Sequence, residues 1–494
     1  MKLTRRSKAW LAAGAGLGML ALAGCGPAAA PTSAAPQAAG FPSQWLQYGS
    51  NQEHNTVFPG TGAASGVLQG TSWRFREHRG IPLNQPPRDE SVLGKGPSGY
   101  FHASVKTTQD LGNAVGVTGV GGIIYVGEDR NRVYAINALT GKKLWEGMTI
   151  NQNMAEPIVA GGLVIVDSGD TGFSYSNVMK FAKHAPIVRG MGFAGVWAFN
   201  AQTGKKVWSY DTKGEVMPDG VVLGNAYIFG NGDGHVYALN LKTGKPLWIT
   251  AVAPGKGGFD SMSSANWWKN PATGQTLVYV GFSDPNFVYA LDAATGKVVW
   301  KQTVPKVFST GMGDNSPVVD PTAGIVLDDS VVSFNAANKT LNLDLYAMNA
   351  ATGQILWQHK LGRGKAILAF KAGLIMVHHG VAYVGDPDNG TLQAYAVKTG
   401  AKLWETTLPK SKIAGKMVLT QDRGSPVYYK GVLYEAAGSD VFALNPKTGA
   451  VLSSYPVGGR FGMINPVIVG GTMYLANSWG WSLAIPLHDI YPKG

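Results

Sequence analysis

Seven times between residues 132 and 455 the chain repeats one pattern of apolar and polar positions. Each copy has an alternating segment such as Arg132-Val133-Tyr134-Ala135-Ile136-Asn137, a Thr-Gly turn, and a short segment that ends on an aromatic residue. The copies end at Trp145, Trp208, Trp248, Trp300, Trp357, Trp404 and Tyr455. Alternation at a period of two predicts strands, and the glycine takes the turn position that needs a positive φ. A unit this small cannot bury its own apolar face, so neighbours must stack, and radial stacking of four-stranded sheets makes a β-propeller. Trp73 reads as an outer-strand aromatic with no repeat before it, while Asn465 to Pro486 supplies strands with no complete repeat after them. Joining the two predicts an all-β, eight-bladed β-propeller with an N-terminal strand closing the last blade. Tyr455 is then the seventh docking aromatic and Trp73 the eighth.

The spacing of these aromatics locates additions to the ring. Trp208 to Trp248 is 40 residues, about a bare blade, whereas Trp73 to Trp145 is 72 and Trp145 to Trp208 is 63. Blades 1 and 2 therefore carry insertions at 76–114 and 171–195. With strands named A to D from the axis outward, the first lies in a D-to-A loop and the second in a B-to-C loop, which emerge on the same face. Long loops on one face of a rigid ring carry function or assembly. The repeat itself is similar to the pyrroloquinoline-quinone-type propeller repeat, which implies the fold and leaves the chemistry open.

Ahead of the ring, Lys2, Arg5, Arg6 and Lys8 precede an apolar run from Ala9 to Ala23 that ends in Leu22-Ala23-Gly24-Cys25. The pattern predicts a signal peptide over 1–24, too short an apolar run for a membrane span. The residues before Cys25 resemble a bacterial lipobox, which implies cleavage before Cys25 and lipid attachment to it. Residues 25–40 then form an Ala/Pro-rich tether, and 41–494 the propeller. The expected location is exported, periplasmic or at the cell surface, with the membrane touched only through the lipid anchor.

Cys25 is the single cysteine, so the mature chain has no thiol left for disulfides, metal thiolates, nucleophilic catalysis or covalent haem. Removing the leader takes four positive charges, and the formal charge falls from +12 to 12 − 4 = +8. A basic body points first to nucleic acid, but export and the scatter of lysines through turns argue against it. A basic funnel for small anions and adaptation to acid both fit the low count of 30 Asp and Glu.

Candidate chemistry falls on the loop face. Asp314 and Asn315 sit in Ser309-Thr310-Gly311-Met312-Gly313-Asp314-Asn315-Ser316-Pro317, where glycines let the backbone approach a ligand. Asp320, Asp328 and Asp329 are rivals from the same region. The other pre-strand loops, among them Asn153-Met154-Ala155-Glu156-Pro157, read as turn-satisfying polar residues. Cationic and polar partners are His102 and Lys106 in the first insertion, Lys180, Lys183, His184 and Arg189 in the second, and Arg423 and Arg460 in later D-to-A loops. Together they form a cradle for a dianion. His378-His379 falls in an A-to-B turn and reads as structural, and Trp267-Trp268 as packing between blades. No metal, phosphate-loop or zinc signature is apparent, and no cofactor is expected.

In length, paired insertions, the Gly-Met-Gly-Asp-Asn-Ser-Pro loop and acid-poor composition, the chain resembles the tetrathionate hydrolases of acidophilic sulfur oxidisers. That resemblance implies acid-dependent hydrolysis of a sulfur oxyanion to thiosulfate, sulfate and sulfur. It also implies an aspartate proton donor, here Asp314, substrate binding by the residues above, and a homodimer formed through the insertion loops. Two alternatives stand beside it: a scaffold lipoprotein similar to the propeller subunit of the outer-membrane β-barrel assembly machinery, and a quinone-dependent dehydrogenase. The bare blades of the first do not account for the insertions. The absent cysteine pair and haem motif count against the second.

Overall fold

Strand-forming repeats and Thr-Gly turns resolve, in a computed structural model, into eight radial sheets of a β-propeller. The structure describes residues 40–60, 68–77, 116–128, 131–149, 153, 155–169, 194–217, 219–252, 261, 263–283, 286–303, 316–335, 340–365, 373–413 and 415–493. In blade 1 the strands are Thr118–Val120, Ile123–Gly127, Arg132–Asn137 and Lys143–Met148, hydrogen-bonded in that order. Blades 2 to 7 repeat the order, and blade 5 lengthens its three outer strands to Ile325–Asn335, Thr340–Asn349 and Ile355–Lys365, an extension that the repeat pattern does not announce. Blade 8 takes strands Val467–Val469, Thr472–Asn477 and Trp481–Pro486 from the C-terminus. Its outer strand, Trp73–Arg76, comes from the N-terminus and pairs antiparallel with Trp481–Pro486. The ring is closed as the unpaired aromatic of the sequence requires.

The Thr-Gly turn does two jobs. Asn137 Oδ1 accepts the N–H groups of Leu139 and Thr140, which fixes the turn, and Asn200, Asn240, Asn349 and Asn445 do the same in their blades. The glycine then leaves room for the tryptophan of the preceding blade. A Cβ on Gly141 would lie 2.7 Å from Trp73 Cγ, and Gly204, Gly244, Gly296, Gly353, Gly400 and Gly449 meet the preceding indole in the same way. Each indole N–H also donates across the joint, Trp73 to Ala138 O at 2.7 Å and Trp145 to Ala201 O at 2.8 Å. Blade 7 ends in Tyr455, and blade 8 offers no such turn: its third strand runs into the short helix Leu487–Ile490, whose Ile490 carbonyl accepts Ser453 Oγ at 2.6 Å. Trp268, expected to pack between blades, is buried and donates to Pro321 O of blade 5.

Inside the ring runs a circuit that no repeat announces. Each strand A faces the axis with an edge that no blade pairs. Residues 40–60 travel once around the inside of the ring and meet those edges in blade order. Pro42 O accepts Gly121 N of blade 1, Trp45 exchanges two hydrogen bonds with Val159 of blade 2 at 2.7 and 2.8 Å, and Leu46 O accepts Val222 N of blade 3. Gln47 Nε2 reaches Asn266 Oδ1 of blade 4. Gln52 O, Glu53 O and Asn55 Oδ1 then accept Val319 N, Val377 N and Tyr428 N of blades 5, 6 and 7. The circuit ends as a parallel strand, Val57–Phe58, against Val467–Val469 of blade 8. Its ends touch, since a Cβ on Gly40 would lie 2.7 Å from Gly60 Cα.

The joint at Gly141 gives a graded test. Gly141→Ala should lower unfolding stability by roughly 2 kcal/mol, because the methyl meets Trp73 as well as a φ of +67°. Gly224→Ala, at φ +62° with open space around it, should cost only about 1 kcal/mol. Equal losses in chemical unfolding would show that the indole does not bear on the turn.

Candidate active site at the centre of the ring

In six of the eight blades the loop that leads into strand A places one polar residue at the inner end of that strand. Glu156, Asp219, Ser264, Ser316, Ser425 and Asn465 occupy this place in blades 2, 3, 4, 5, 7 and 8, and all are buried. Three of them are wired together: Ser264 Oγ accepts Asp219 N and donates to Asp219 Oδ2, and Ser316 Oγ accepts Ser264 N at 3.3 Å.

Beneath this layer lies the inner circuit. Glu156 Oε2 accepts both Trp45 Nε1 at 3.1 Å and Gly49 N at 3.0 Å. Tyr48 and His54, on the same segment, pack edge to face with ring centres 4.9 Å apart. His54 Nε2 lies 3.3 Å from Asn266 Nδ2. Burial pushes this imidazole down to about 3, so it stays neutral and accepts there.

A second set of carboxyls comes from strands B. Where blades 1 and 3 carry Val126-Gly127 and Phe229-Gly230, blade 2 has Val166-Asp167, blade 5 Asp328-Asp329, blade 6 Gly385-Asp386 and blade 7 Glu435-Ala436. All five carboxyls are buried. Tyr227 OH donates to Asp167 Oδ2 at 2.5 Å and itself accepts Gly220 N at 2.9 Å. Glu435 and Asp422, which precedes strand A of blade 7, are both buried and act on each other's titration.

Burial dominates the titration of these groups. It pushes Glu156 up to about 8 against the partly compensating bonds from Gly49 and Trp45. Asp219, Asp167 and Asp328 are raised well above the ordinary carboxylate range by the same cause, and charge on Glu156 and Asp167 raises Asp219 further. Asp422 rises to about 8, and Glu435 is raised by burial and then by Asp422. In acid these groups are neutral acids. Glu156 uses Oε2 as a double acceptor, which leaves Oε1 to carry the proton, and Oε1 has no partner among the described residues. The arrangement can therefore donate hydrogen bonds or protons from buried carboxyl groups.

Comparison with known proteins separates the fold from the chemistry. A family model described as outer membrane protein assembly factor BamB matches residues 72–264, 232–422 and 288–480, which covers the repeats. BamB from Moraxella catarrhalis superposes with a TM-score of 0.51 at 15% identity, over 74% of this chain and 92% of that one, a likeness of fold. A tetrathionate hydrolase from Acidithiobacillus ferrooxidans is 37% identical over 91% of this chain and 87% of its own length. The chain belongs to the tetrathionate hydrolase family. A second member, from Acidianus ambivalens, is 35% identical over 92% of this chain and 86% of its own.

Of the residues expected to form the site, Arg423 and Arg460 lie in described loops. Arg460 donates to Gln421 Oε1, while Arg423, two residues on, is buried with its carbonyl accepting Leu374 N. Asp314, Asn315, His102, Lys106, Lys180, Lys183, His184, Arg189 and Cys25 lie outside the described residues, although Ser316, next in the chain, belongs to the polar ring. Asp320 is a turn residue, accepting Thr322 N and Ala323 N. His378 stacks between His379 and Tyr428 at 3.9 and 4.0 Å, as a structural pair would. Among the described residues no three His, Cys, Asp or Glu side chains converge on a metal position.

Sequence reasoning passed over Glu156, Asp219, Asp422, Glu435 and Tyr48. The strand B carboxylates carried a legible signal, since an acid in a register that other blades fill with Val or Gly breaks the repeat. Tyr48 carried none, because its segment belongs to no blade.

The raised carboxyls set a direction for stability. Their folded values lie above the unfolded ones, so their contribution is complete below about pH 4 and is lost as pH climbs through about 8 for Glu156 and Asp422. Each such group should cost about 1.4 kcal/mol per pH unit across that window. The unfolding temperature should fall from pH 4 to pH 8, and Glu156→Gln should flatten part of the slope. A profile that rises through this window would show these groups ionised in the folded state.

Proposed function

We propose that this chain hydrolyses tetrathionate, with one observation carrying the proposal: identity of 37% and 35% to tetrathionate hydrolases, spanning nine-tenths of this chain and most of each relative. The centre of the ring supports that reading chemically. Tetrathionate is a dianion with an internal sulfur–sulfur bond. Cleavage of the central bond releases thiosulfate, and the oxygen of one water joins the other half, which collapses to sulfate and elemental sulfur with two protons released. The leaving thiosulfate gains from a proton donor, and carboxyls kept neutral by burial supply that chemistry in acid. Arg423 and Arg460 offer positive charge from blades 7 and 8 to hold a sulfonate. A chain whose one cysteine, Cys25, carries the lipid has no free thiolate that the substrate could convert to a mixed disulfide.

Asp314 is our choice of proton donor, on the ground of its glycine-flanked loop just before Ser316 of the polar ring. Acid dependence then follows from the need to keep the donor protonated. Export under the 1–24 signal, lipid attachment at Cys25 and dimerisation through the two insertions complete the reading.

Purified mature protein should consume tetrathionate in acid and release thiosulfate and sulfate. Asp314→Asn should lose on the order of 100-fold or more in turnover with unfolding temperature unchanged. Full activity in that variant would pass the role to a buried carboxyl, tested next as Glu156→Gln. No turnover by folded wild-type protein at acidic or neutral pH would sink the hydrolase reading.

A further inference from the structure

Tyr48 is the residue of the inner circuit that the mechanism above does not use. Its ring is buried against His54, and its hydroxyl has no hydrogen-bond partner among the described residues. The carboxyls that act electrostatically on that hydroxyl are Glu156, Asp219 and Glu435, contributed by blades 2, 3 and 7. Groups from such separated blades share a near neighbour only close to the axis, so the hydroxyl stands at the centre of the ring.

The circuit also decides which way that centre opens. It starts beside the A-to-B turn of blade 1, where Gly121 N meets Pro42 O, and it finishes beside the A-to-B turn of blade 8, where Gly470 N meets Phe58 O. Between those points it hydrogen-bonds the middle of strands A in blades 2, 3, 5, 6 and 7. The A-to-B end of the channel is therefore filled by residues 40–60. The polar ring of Glu156, Asp219, Ser264, Ser316, Ser425 and Asn465 lies toward the other end. Tyr48 stands between the filled end and that polar ring.

The groups gathered here match one class of ligand. With the carboxyls neutral, Tyr48 O–H and Glu156 Oε1–H are donors, as is Asn465 Nδ2, which has no partner among the described residues. Converging fixed donors in a dry site suit an anionic oxygen and cost no reorganisation when it arrives. A tyrosine hydroxyl left buried and unpaired costs about 1–3 kcal/mol, which a ligand oxygen recovers on binding.

We propose that Tyr48, delivered to the axis by the inner circuit, donates a hydrogen bond to a sulfonate oxygen of the bound sulfur oxyanion and so positions it against the polar ring. The identity of the anion rests on the hydrolase reading; the existence of an oxyanion site does not.

The test is Tyr48→Phe, with tetrathionate as the turnover probe and thiosulfate as the binding probe. Loss of a hydrogen bond to a charged group should raise KM for tetrathionate on the order of tenfold or more, with a smaller change in kcat. Thiosulfate should raise the unfolding temperature of wild-type protein and do so far less in the variant. Without ligand the variant should be at least as stable as wild type, because the hydroxyl it lacks was buried and unpaired. A variant that is less stable or fails to fold, or one with wild-type KM and a wild-type thiosulfate response, would overturn the proposal. Wild-type protein that is stabilised by thiosulfate through Tyr48 yet leaves tetrathionate intact would keep the site and remove the hydrolase reading. Turnover unaffected by Tyr48→Phe would do the reverse.

Discussion

Strands A turn one unpaired edge toward a common axis, and the rest of this structure depends on how those edges are satisfied. Backbone groups left unpaired in a buried place are costly. A propeller with an open channel leaves them to solvent. Here residues 40–60 replace solvent, meeting the strand edges in turn with hydrogen bonds such as Val222 N to Leu46 O at 2.7 Å and Val377 N to Glu53 O at 2.8 Å. The same chain then passes outward and supplies Trp73–Arg76 to the rim of blade 8. One N-terminal stretch thus ties the ring at its centre and at its circumference.

Filling the channel explains the electrostatics. Glu156 and Asp219 would be ordinary hydrated carboxylates in an open pore. Covered by Trp45, Tyr48 and Gly49, they lose water, and burial becomes the largest influence on their protonation. The inner circuit therefore makes neutral acids out of loop residues. Chemistry that needs a proton donor in acid and a dry place to hold an oxyanion follows from a segment with no repeat of its own.

The repeat was legible because every blade solves the same packing problem. Gly141 must lack a Cβ where Trp73 stacks, Asn137 must cap the turn, and Trp145 must reach the next blade. Those local demands recur at fixed spacing, so eight blades and the closing strand could be read in advance. The site was only partly legible. Arg423 and Arg460 were named as candidates because charges in D-to-A loops stand out, whereas Glu156 looked like one more polar residue before a proline. Its role depends on Trp45 and Gly49, more than 100 positions away in the chain.

By itself, then, the sequence determined the number of blades, their order and the joints between them, since these rest on short-range turn geometry and on side-chain volumes repeated along the chain. The tertiary structure decided where the N-terminal segment runs, which end of the channel it fills and which carboxyls lose their water. Those outcomes depend on distance from the axis and on burial, and neither is a property of a residue until the ring has closed.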